Sequence, residues 1–597
     1  MPKIVKVAVP LALNKEFDYS FPLNLKIEKG MRVLVDFKGK KMLGLVVDIS
    51  NYTRVKIVKP ILDTLDLTPS LTGEQIDFAH SLSELYPYSI GEFLFMFLPP
   101  YLKNIRKIDS VQYCEIKKNR QVRPRKLFLR GDDFLKRYEF LKSSIKENLK
   151  EGSVLICFPQ MSYLLNAKKI LEKDFSGEIN IIHSQQGEKE LYSVWAKTRS
   201  KSLVLGTRVS IFYYPRDLRQ LIVEEENNPY YFQEEKPFHN LLDVAMTLSD
   251  IKGVNLMLSG DNPSLSTYKL IKEKAIFLED RGGKAKNIDI VNMSNFSVKR
   301  LIGPVLIELI KSSLRKKKRI VVLWNKKGFS KTISCTSCGY IVKCSNCAGL
   351  LQKIPMVDEG VCPYCQRKEV FSKTCKKCKN GYLKEKGYGI DRIGYTFKKI
   401  FPDVRIDDLE NSNSNTQIIL STSKISSYLY EKSDLDIGIV IDADLMLARP
   451  EYDATFNLYI YLKKLSFYFK DSLYVFTNNK DYYLFQSLNK EWIDFYELEL
   501  NLRTKSNLPP FGLISKITLR CKNEIALLKK VKSLYNKLLK KELEVYGPFQ
   551  EHPYKLRDKF RCSLIIKGKR DIISRKIIKE EIKGIRSNLL QLAIIFK

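Results

Sequence analysis

The sequence predicts a multidomain α/β protein: two successive parallel α/β units, a β-rich unit ahead of them and a small α+β unit behind. Three observations carry this expectation. A chain of 597 residues exceeds what one hydrophobic core organises, and its 44% hydrophobic and 11% aromatic content is ample for folded cores. Short apolar runs of the buried-strand type, SVLICFP, EINIIHS, SLVLGT, QLIVEEE and VNLMLSG, alternate with helical segments, the pattern of a parallel sheet covered by helices. RIVVLWN restarts that alternation, a cysteine-rich segment interrupts it, and TQIILST and DIGIVIDAD continue it.

In chain order, residues 1–102 read as a β-rich domain. VKVAVPLAL, MRVLVDF and LGLVVDI are β-branched runs broken by Gly, Lys and Asn, and LTGEQIDFAHSLSELY has helical spacing. The polar, basic stretch 103–126 reads as a linker. The first α/β unit is expected over 127–290 and the second over 291–506, with a cysteine-rich insertion at 333–380. From residue 507 the chain carries LPPFG, ITLRC, a long Lys/Leu helix and SLIIKG, which fit a small α+β domain over 507–597. No run of about eighteen apolar residues predicts a membrane span. The opening MPKIVKVAVP lacks a basic-then-apolar signal pattern, so a reducing, cytoplasmic setting is expected.

Eight of the twelve cysteines form four Cys-x-x-Cys pairs: Cys335/Cys338, Cys344/Cys347, Cys362/Cys365 and Cys375/Cys378. Each pair can present two sulfurs to one ion, and tetrahedral zinc takes four thiolates, so two closed Cys₄ sites are expected. Five residues separate Cys338 from Cys344, too few for adjacent knuckles to face each other, whereas fourteen separate Cys347 from Cys362. The economical pairing is nested. Cys344, Cys347, Cys362 and Cys365 hold one ion, and Cys335, Cys338, Cys375 and Cys378 the other. Closed Cys₄ zinc has no open position for water and is structural. Cys114, Cys157, Cys521 and Cys562 stand alone and read as buried thiols.

Charge is the second strong signal. Lys and Arg number 102 against 67 Asp and Glu, a net +35. Such a surplus favours a polyanion, nucleic acid first, although lysine also rises with genome composition. The run Arg315–Arg319 reads as a solvated helix end. His80, His183, His239 and His552 lie in unrelated contexts and read as structural or surface residues.

Two α/β units, the second interrupted by zinc knuckles, are the layout of two RecA-like helicase lobes. The chain resembles the PriA family of replication-restart helicases (primosomal protein N′) nearly end to end. The resemblance is carried by VAVPLALNKEFDYSFP, Lys59–Pro60 and YSIGE at Tyr88–Glu92, and by GTRVSIF at Gly206–Phe212 and LWNKKGFS at Leu323–Ser330. It continues through KGYGIDRI at Lys386–Ile393, DADLMLARPEYDA at Asp442–Ala454, LPPFG at Leu508–Gly512 and VYGPF at Val545–Phe549. It implies a 3′-DNA-end-binding domain at the N-terminus, the nested zinc pairing, and partners in forked and single-stranded DNA. Primosome proteins, a replicative helicase loader and single-stranded-DNA-binding protein are further implied, for a bacterial, nucleoid-associated monomer. A winged-helix domain, which the family carries, does not fit into the linker.

Against that resemblance, the ATPase motifs are eroded. A P-loop reads G-x-x-x-x-G-K-[ST], with a lysine on the β/γ oxygens and a hydroxyl on magnesium. Here LFLRGDDFLKRYEF keeps Gly131, places Asp132 and Asp133 where phosphate would lie, and offers only Lys136 as a surrogate cation. The family's Asp-Glu-Glu-His reads Glu224-Glu225-Glu226-Asn227, and its Gly-Ser-Ala-Thr-Pro reads Ser259-Gly260-Asp261-Asn262-Pro263. A later Gly-Thr reads Ser421-Thr422, and the stretch Tyr461–Ser472, where arginines are needed, has none. Gly131, Glu224 and Glu225 are the remnants of nucleotide binding, with no catalytic residue expected and ATP and magnesium not required.

For DNA contact, the resemblance points to Phe17, Asp18, Tyr19 and Lys59: a carboxylate for a 3′-hydroxyl, aromatics for the last base and a lysine for phosphate. Alternating buried aromatics on a strand are the competing account of the same residues. The turn Phe37-Lys38-Gly39-Lys40-Lys41 displaces the family's glycine. Tyr230, Tyr231, Phe232, Phe238 and His239 resemble a strand-sensing loop, and Lys326 and Lys327 precede the zinc module. The functional expectation is a fork-recognising scaffold for replication restart without ATP hydrolysis. An active 3′–5′ helicase with divergent motifs and a zinc-ribbon adaptor for nucleic acid or a protein complex are the rival readings.

Overall fold

The computed structural model describes residues 3–13, 15–21, 25–108, 124–175, 179–197, 201–283, 287–293, 302–325, 332–347, 349–353, 357, 359–362, 365–386, 390–422, 425, 435–449, 451–541, 543–569, 572–582, 585 and 591–596. The chain divides into two compact units. One comprises residues 1–282 with 570–580 and 594–597, the other residues 283–569 with 581–593. The expected linker lies largely outside the described residues, as does Cys114.

The first unit opens with an antiparallel sheet of β1 (Lys3–Ala8), β2 (Phe17–Phe21), β3 (Arg32–Phe37), β4 (Lys40–Ser50) and β5 (Ile61–Thr64), in the order β2-β1-β4-β3-β5. Alternation sends Val5, Val7, Val33 and Val35 into a shared core. Lys38 and Gly39, both with positive φ (53° and 81°), form the two-residue turn joining β3 to β4, the left-handed pair that matches strand twist. The displaced glycine is thus where the hairpin needs it. Arg32 is fully buried and ion-paired to Asp66 at 2.6 Å, with its guanidinium also donating to the Leu102 carbonyl at 2.7 Å. A helix over Gly73–Leu85 follows, started by a capping box between Thr72 and Gln75, and a second over Ile90–Leu94, started by one between Ser89 and Glu92. A side chain at Gly91 would stand 1.9 Å from the Val9 carbonyl oxygen, so YSIGE holds a glycine for close helix–strand packing.

The same unit contains a wholly parallel sheet: β6 (Lys126–Arg130), β7 (Ser153–Cys157), β8 (Ile179–Ile182), β9 (Leu203–Gly206), β10 (Leu218–Glu224), β11 (Asn255–Gly260) and β12 (Phe277–Asp280). Their order is β12-β6-β11-β10-β7-β9-β8.

The second unit begins earlier than residue 291. β13 (Ile288–Asn292) pairs along β23 (Phe469–Thr477), so it belongs to the second sheet, and the boundary falls at 282 instead of 290. β14 (Ile320–Leu323) leads into the cysteine module, whose strands are β15 (Thr332–Cys335), β16 (Gln352–Lys353), β17 (Glu359–Val361), β18 (Lys368–Val370) and β19 (Leu383–Lys386). β20 (Ile406–Asp408), β21 (Ile418–Ser421) and β22 (Leu435–Val440) complete a parallel sheet ordered β13-β23-β22-β14-β21-β20. Counted along the chain, both parallel sheets run first-sixth-fifth-second-fourth-third, the first sheet adding one edge strand, β12. Two units with one topology are two RecA-like lobes, the second carrying the cysteine module as an insertion between its second and third strands.

A sheet of β24 (Gly512–Cys521), β25 (Glu544–Leu556), β26 (Lys559–Lys569) and β27 (Gln591–Phe596) follows, ordered β25-β26-β24-β27 and antiparallel from β25 through β24, with the helix Glu524–Leu539 packed on it. The expected C-terminal domain is not one body. Residues 570–580 group with the first unit, because Arg575 donates to the Leu85 carbonyl at 2.8 Å and Lys579 to that of Glu84 at 2.6 Å. Among the described residues, no helix is long and apolar enough to cross a membrane. In the Arg315–Arg319 run, Lys318 pairs with Asp471 at 3.0 Å and Arg319 donates to the Asn413 carbonyl, so the helix end is tied down by its own sheet.

Candidate nucleic-acid and metal sites

The predicted DNA-end residues converge on β2, but in unequal roles. Asp18 is half-buried and accepts a 2.5 Å hydrogen bond from the Thr53 hydroxyl. Phe17 is half-buried, edge-on to Phe37 at 4.9 Å, with the Lys15 ammonium 5.0 Å from its ring centre. Tyr19 departs from expectation. Strand alternation turns it into the core with Phe21, 4% exposed, its hydroxyl donating to the Asp36 carbonyl at 3.1 Å. Burial, reinforced by Asp36, raises its pKa, and it has no face left for a base. Lys59 is exposed and pairs with Asp36 at 2.9 Å. Asp36, which the sequence did not single out, also accepts from the Gly39 amide at 2.7 Å. The Lys59 and Gly39 bonds hold its carboxyl below the usual range.

The segment after β10 also splits. Tyr230 is exposed. Tyr231 is buried, its hydroxyl proton shared between the carbonyls of Cys157 (2.7 Å) and Glu224 (2.5 Å), so it braces the sheet and cannot meet DNA. Phe238 leans on Tyr88, and His239 is buried between Tyr86 and Phe212. Burial lowers the His239 pKa to about 4, as a structural histidine requires. Lys326 and Lys327 lie outside the described residues.

At the expected nucleotide site, β6 ends in Gly131 and the helix Phe134–Leu149 begins with Asp133 as N-cap, its carboxylate accepting from the Lys136 amide at 2.8 Å. Asp132 pairs with Lys136, which leaves Lys136 on the half-exposed rim. The cation at the centre is Arg137. Counting G-x-x-x-x-G-K-[ST] from Gly131 puts Arg137 on the lysine position and Tyr138 on the hydroxyl position, one place beyond Lys136. Arg137 is fully buried, donating to the Gly131 carbonyl, to Glu224 and, at 2.9 Å, to Glu225. Glu224 also accepts from the Ser259 hydroxyl. Both acids at the expected nucleotide site, Glu224 and Glu225, are therefore engaged by an internal guanidinium. Tyr138 turns away, donating to Asp174 at 2.7 Å. The sequence held the signal for Arg137 in its spacing, but burial decided which of the two cations entered.

Next to it, Glu226 is buried, accepting from the Ser264 amide at 2.5 Å, while its Oε2 has no hydrogen-bond partner among the described residues. Burial raises its pKa to about 7, with Ser264 and Thr267 pulling back. A carboxyl raised in the fold above its unfolded value near 4.5 withdraws stability as pH climbs from about 4.5 to 7. Glu226→Gln should therefore stabilise the first lobe by about 1–2 kcal/mol above pH 7, the gap closing towards pH 4.5. Unfolding at the two pH values tests it.

In the cysteine module the two sulfur groups form as nested sets, Cys335/Cys338/Cys375/Cys378 and Cys344/Cys347/Cys362/Cys365, each with its sulfurs within 4.8 Å of one another. Across the outer set, Cys335–Cys378 and Cys338–Cys375 are 3.6 and 3.7 Å apart. Across the inner set, Cys344–Cys365 and Cys347–Cys362 are 3.5 and 3.2 Å apart. Thiolates around a tetrahedral ion at 2.3 Å stand about 3.8 Å apart, and disulfide sulfurs about 2 Å. The donor sets fit a metal ion and not disulfides. The local backbone is built for it. Gly339, Gln366 and Lys379 follow the second cysteines of three knuckles with φ of 68°, 59° and 59°. The amides of Ser337 and Cys338 point at Cys335 Sγ, both at 3.4 Å. A side chain at Gly381 would meet Cys335 Sγ at 2.3 Å. Cys157, Cys521 and Cys562 are buried and unbridged.

Residues 6–99 match the 3′ DNA-binding domain (3′BD) of PriA. Over its length the chain is similar to replication restart protein PriA of several bacteria. It is 26% identical to that of Borreliella burgdorferi (97% of this chain, 96% of the relative). It is 27% identical to that of Thermotoga maritima (70% and 60%) and 22% identical to that of Rickettsia conorii (97% and 96%).

Proposed function

We propose that the chain, which carries the PriA 3′ DNA-binding domain and resembles PriA nearly end to end, is a replication restart protein of that family, and that it recognises forked DNA through a free 3′ end and scaffolds replication restart without hydrolysing ATP. The observation that carries the second half is Arg137. A buried guanidinium bound to Glu224 and Glu225 occupies the lysine position of a P-loop and ties up both acids that would hold magnesium. Removing it to admit a nucleotide would leave two buried carboxylates unpaired, which is strongly unfavourable.

DNA recognition rests on β2 and its surroundings: Asp18 as acceptor for the terminal hydroxyl, Phe17 as the aromatic beside it and Lys59 for phosphate, with Tyr230 as an accessible aromatic further along the same unit. Each Cys₄ group would hold a zinc ion, fixing the module as a rigid platform for DNA and for primosome partners. A helicase loader and single-stranded-DNA-binding protein belong to this reading as partners.

The test is an ATPase assay of the full chain with forked DNA, alongside fluorescence anisotropy on forks with free and blocked 3′ ends. The proposal expects fork binding that prefers the free end and no DNA-stimulated turnover. Robust turnover would identify an active helicase instead. A preference for RNA, or none for the free 3′ end, would identify a general adaptor.

A further inference from the structure

We infer that the segment 51–58 sets the selectivity of the 3′-end pocket: Thr53 holds the Asp18 carboxylate in place for a terminal hydroxyl, and Tyr52 offers the stacking surface for the base that carries it. The inference rests on the reading that Asp18 accepts the 3′-hydroxyl. The segment leaves β4 at Ser50, which pairs with Ile4 on β1, and returns at Lys59, whose carbonyl accepts from the Ser20 amide at 3.0 Å. Both ends are therefore tied to the two strands that carry the pocket.

The Thr53 hydroxyl is oriented from both sides. It accepts from the Val55 amide at 3.0 Å, so its own proton is directed to Asp18 Oδ2 at 2.5 Å. A hydroxyl has one proton and this one is committed. Asp18 Oδ2 thereby already accepts one hydrogen bond, and Oδ1, which accepts none among the described residues, can take one from a ligand. A 3′-hydroxyl can supply that hydrogen, whereas a 3′-phosphate brings negative charge against a fixed carboxylate.

Tyr52 is 69% exposed, so most of its ring is open to solvent, and among the described residues it makes no ring–ring contact. Its backbone is pinned on both sides by one residue, the Ser50 hydroxyl donating to its carbonyl at 2.9 Å and accepting from its amide at 3.1 Å. Arg54, Lys56 and Ile57 are exposed beside it. Aromatic and cationic side chains interleaved on one short segment are the composition that tracks a single strand.

The experiment uses the full chain and fork oligonucleotides ending in a 3′-hydroxyl or a 3′-phosphate, with affinities from anisotropy. Thr53→Val is expected to lower the hydroxyl-over-phosphate preference about ten-fold, and Thr53→Ser to retain it. Tyr52→Ala is expected to weaken both ends about equally, by about ten-fold, with Tyr52→Phe restoring binding. An unchanged preference in Thr53→Val, or lost preference in Thr53→Ser, overturns the role of Thr53. Unchanged affinity in Tyr52→Ala overturns the stacking surface. Asp18→Ala separates the two levels. If it keeps the hydroxyl preference, the reading of Asp18 itself fails. If it loses the preference while Thr53→Val keeps it, the inference about Thr53 alone fails.

Discussion

Replacing Arg137 with alanine is expected to destabilise the first RecA-like lobe by about 3–5 kcal/mol and to restore no ATPase activity. The side chain is fully buried and bonded to Gly131, Glu224 and Glu225, so truncation strands two buried carboxylates without their cation. The loss is a local one in a chain of two units, for which a single melting temperature is ill-defined. Hydrogen exchange at β6 and β10 is the appropriate readout, with protection falling there first. A compensating variant makes the argument specific. Arg137→Met combined with Glu224→Gln and Glu225→Gln removes the charges together, and should recover much of the protection lost in Arg137→Ala, because replacing a whole buried ionic group costs far less than breaking it. Unchanged exchange in Arg137→Ala would mean the guanidinium is not holding these acids. ATP turnover in Arg137→Lys would mean the site is merely masked and remains a motor.

Much of this architecture is legible in the sequence because strand and knuckle signals are local. The runs SVLICFP and VNLMLSG become β7 and β11, and the spacing of eight cysteines is enough to nest the two sets. What stays hidden depends on partners distant in sequence. Arg137 meets Glu224 across 87 residues and Thr53 meets Asp18 across 35, and no pattern within either segment announces the other. β13 illustrates the same limit at the level of domains. IDIVN lies next to the end of the first lobe in sequence, yet its partner is β23, 181 residues from Ile288 to Phe469 along the chain. Tyr19 and Tyr231 show a different failure. Family resemblance lists residue types, whereas the period of two along β2 and the carbonyls within reach of Tyr231 decide which aromatic faces outward.

The cysteine module yields the other large effect. Structural zinc contributes on the order of 10–16 kcal/mol of apparent binding energy to a small domain, so loss of either ion should unfold its part of the module. The nested sets make a counting prediction. With two zinc ions per chain in the unaltered protein, Cys347→Ser/Cys362→Ser should retain one, as should Cys335→Ser/Cys378→Ser. Cys335→Ser/Cys347→Ser should retain none, and metal analysis of purified protein distinguishes these from any sequential pairing. The two sites should also differ in reach. Cys344, Cys347 and Cys362 are buried with Ile333, Leu351 and Phe371 in the module's core, whereas Cys338 of the outer set is exposed. The Cys347 carbonyl, moreover, accepts from the Lys555 amide at 3.2 Å, joining the inner knuckle to β25 of the C-terminal sheet. Loss of the inner ion is therefore expected to release that hairpin, raising exchange at the Lys555 amide, while loss of the outer ion leaves it protected. Equal exchange at Lys555 in the two double variants would show that the inner site supports only itself.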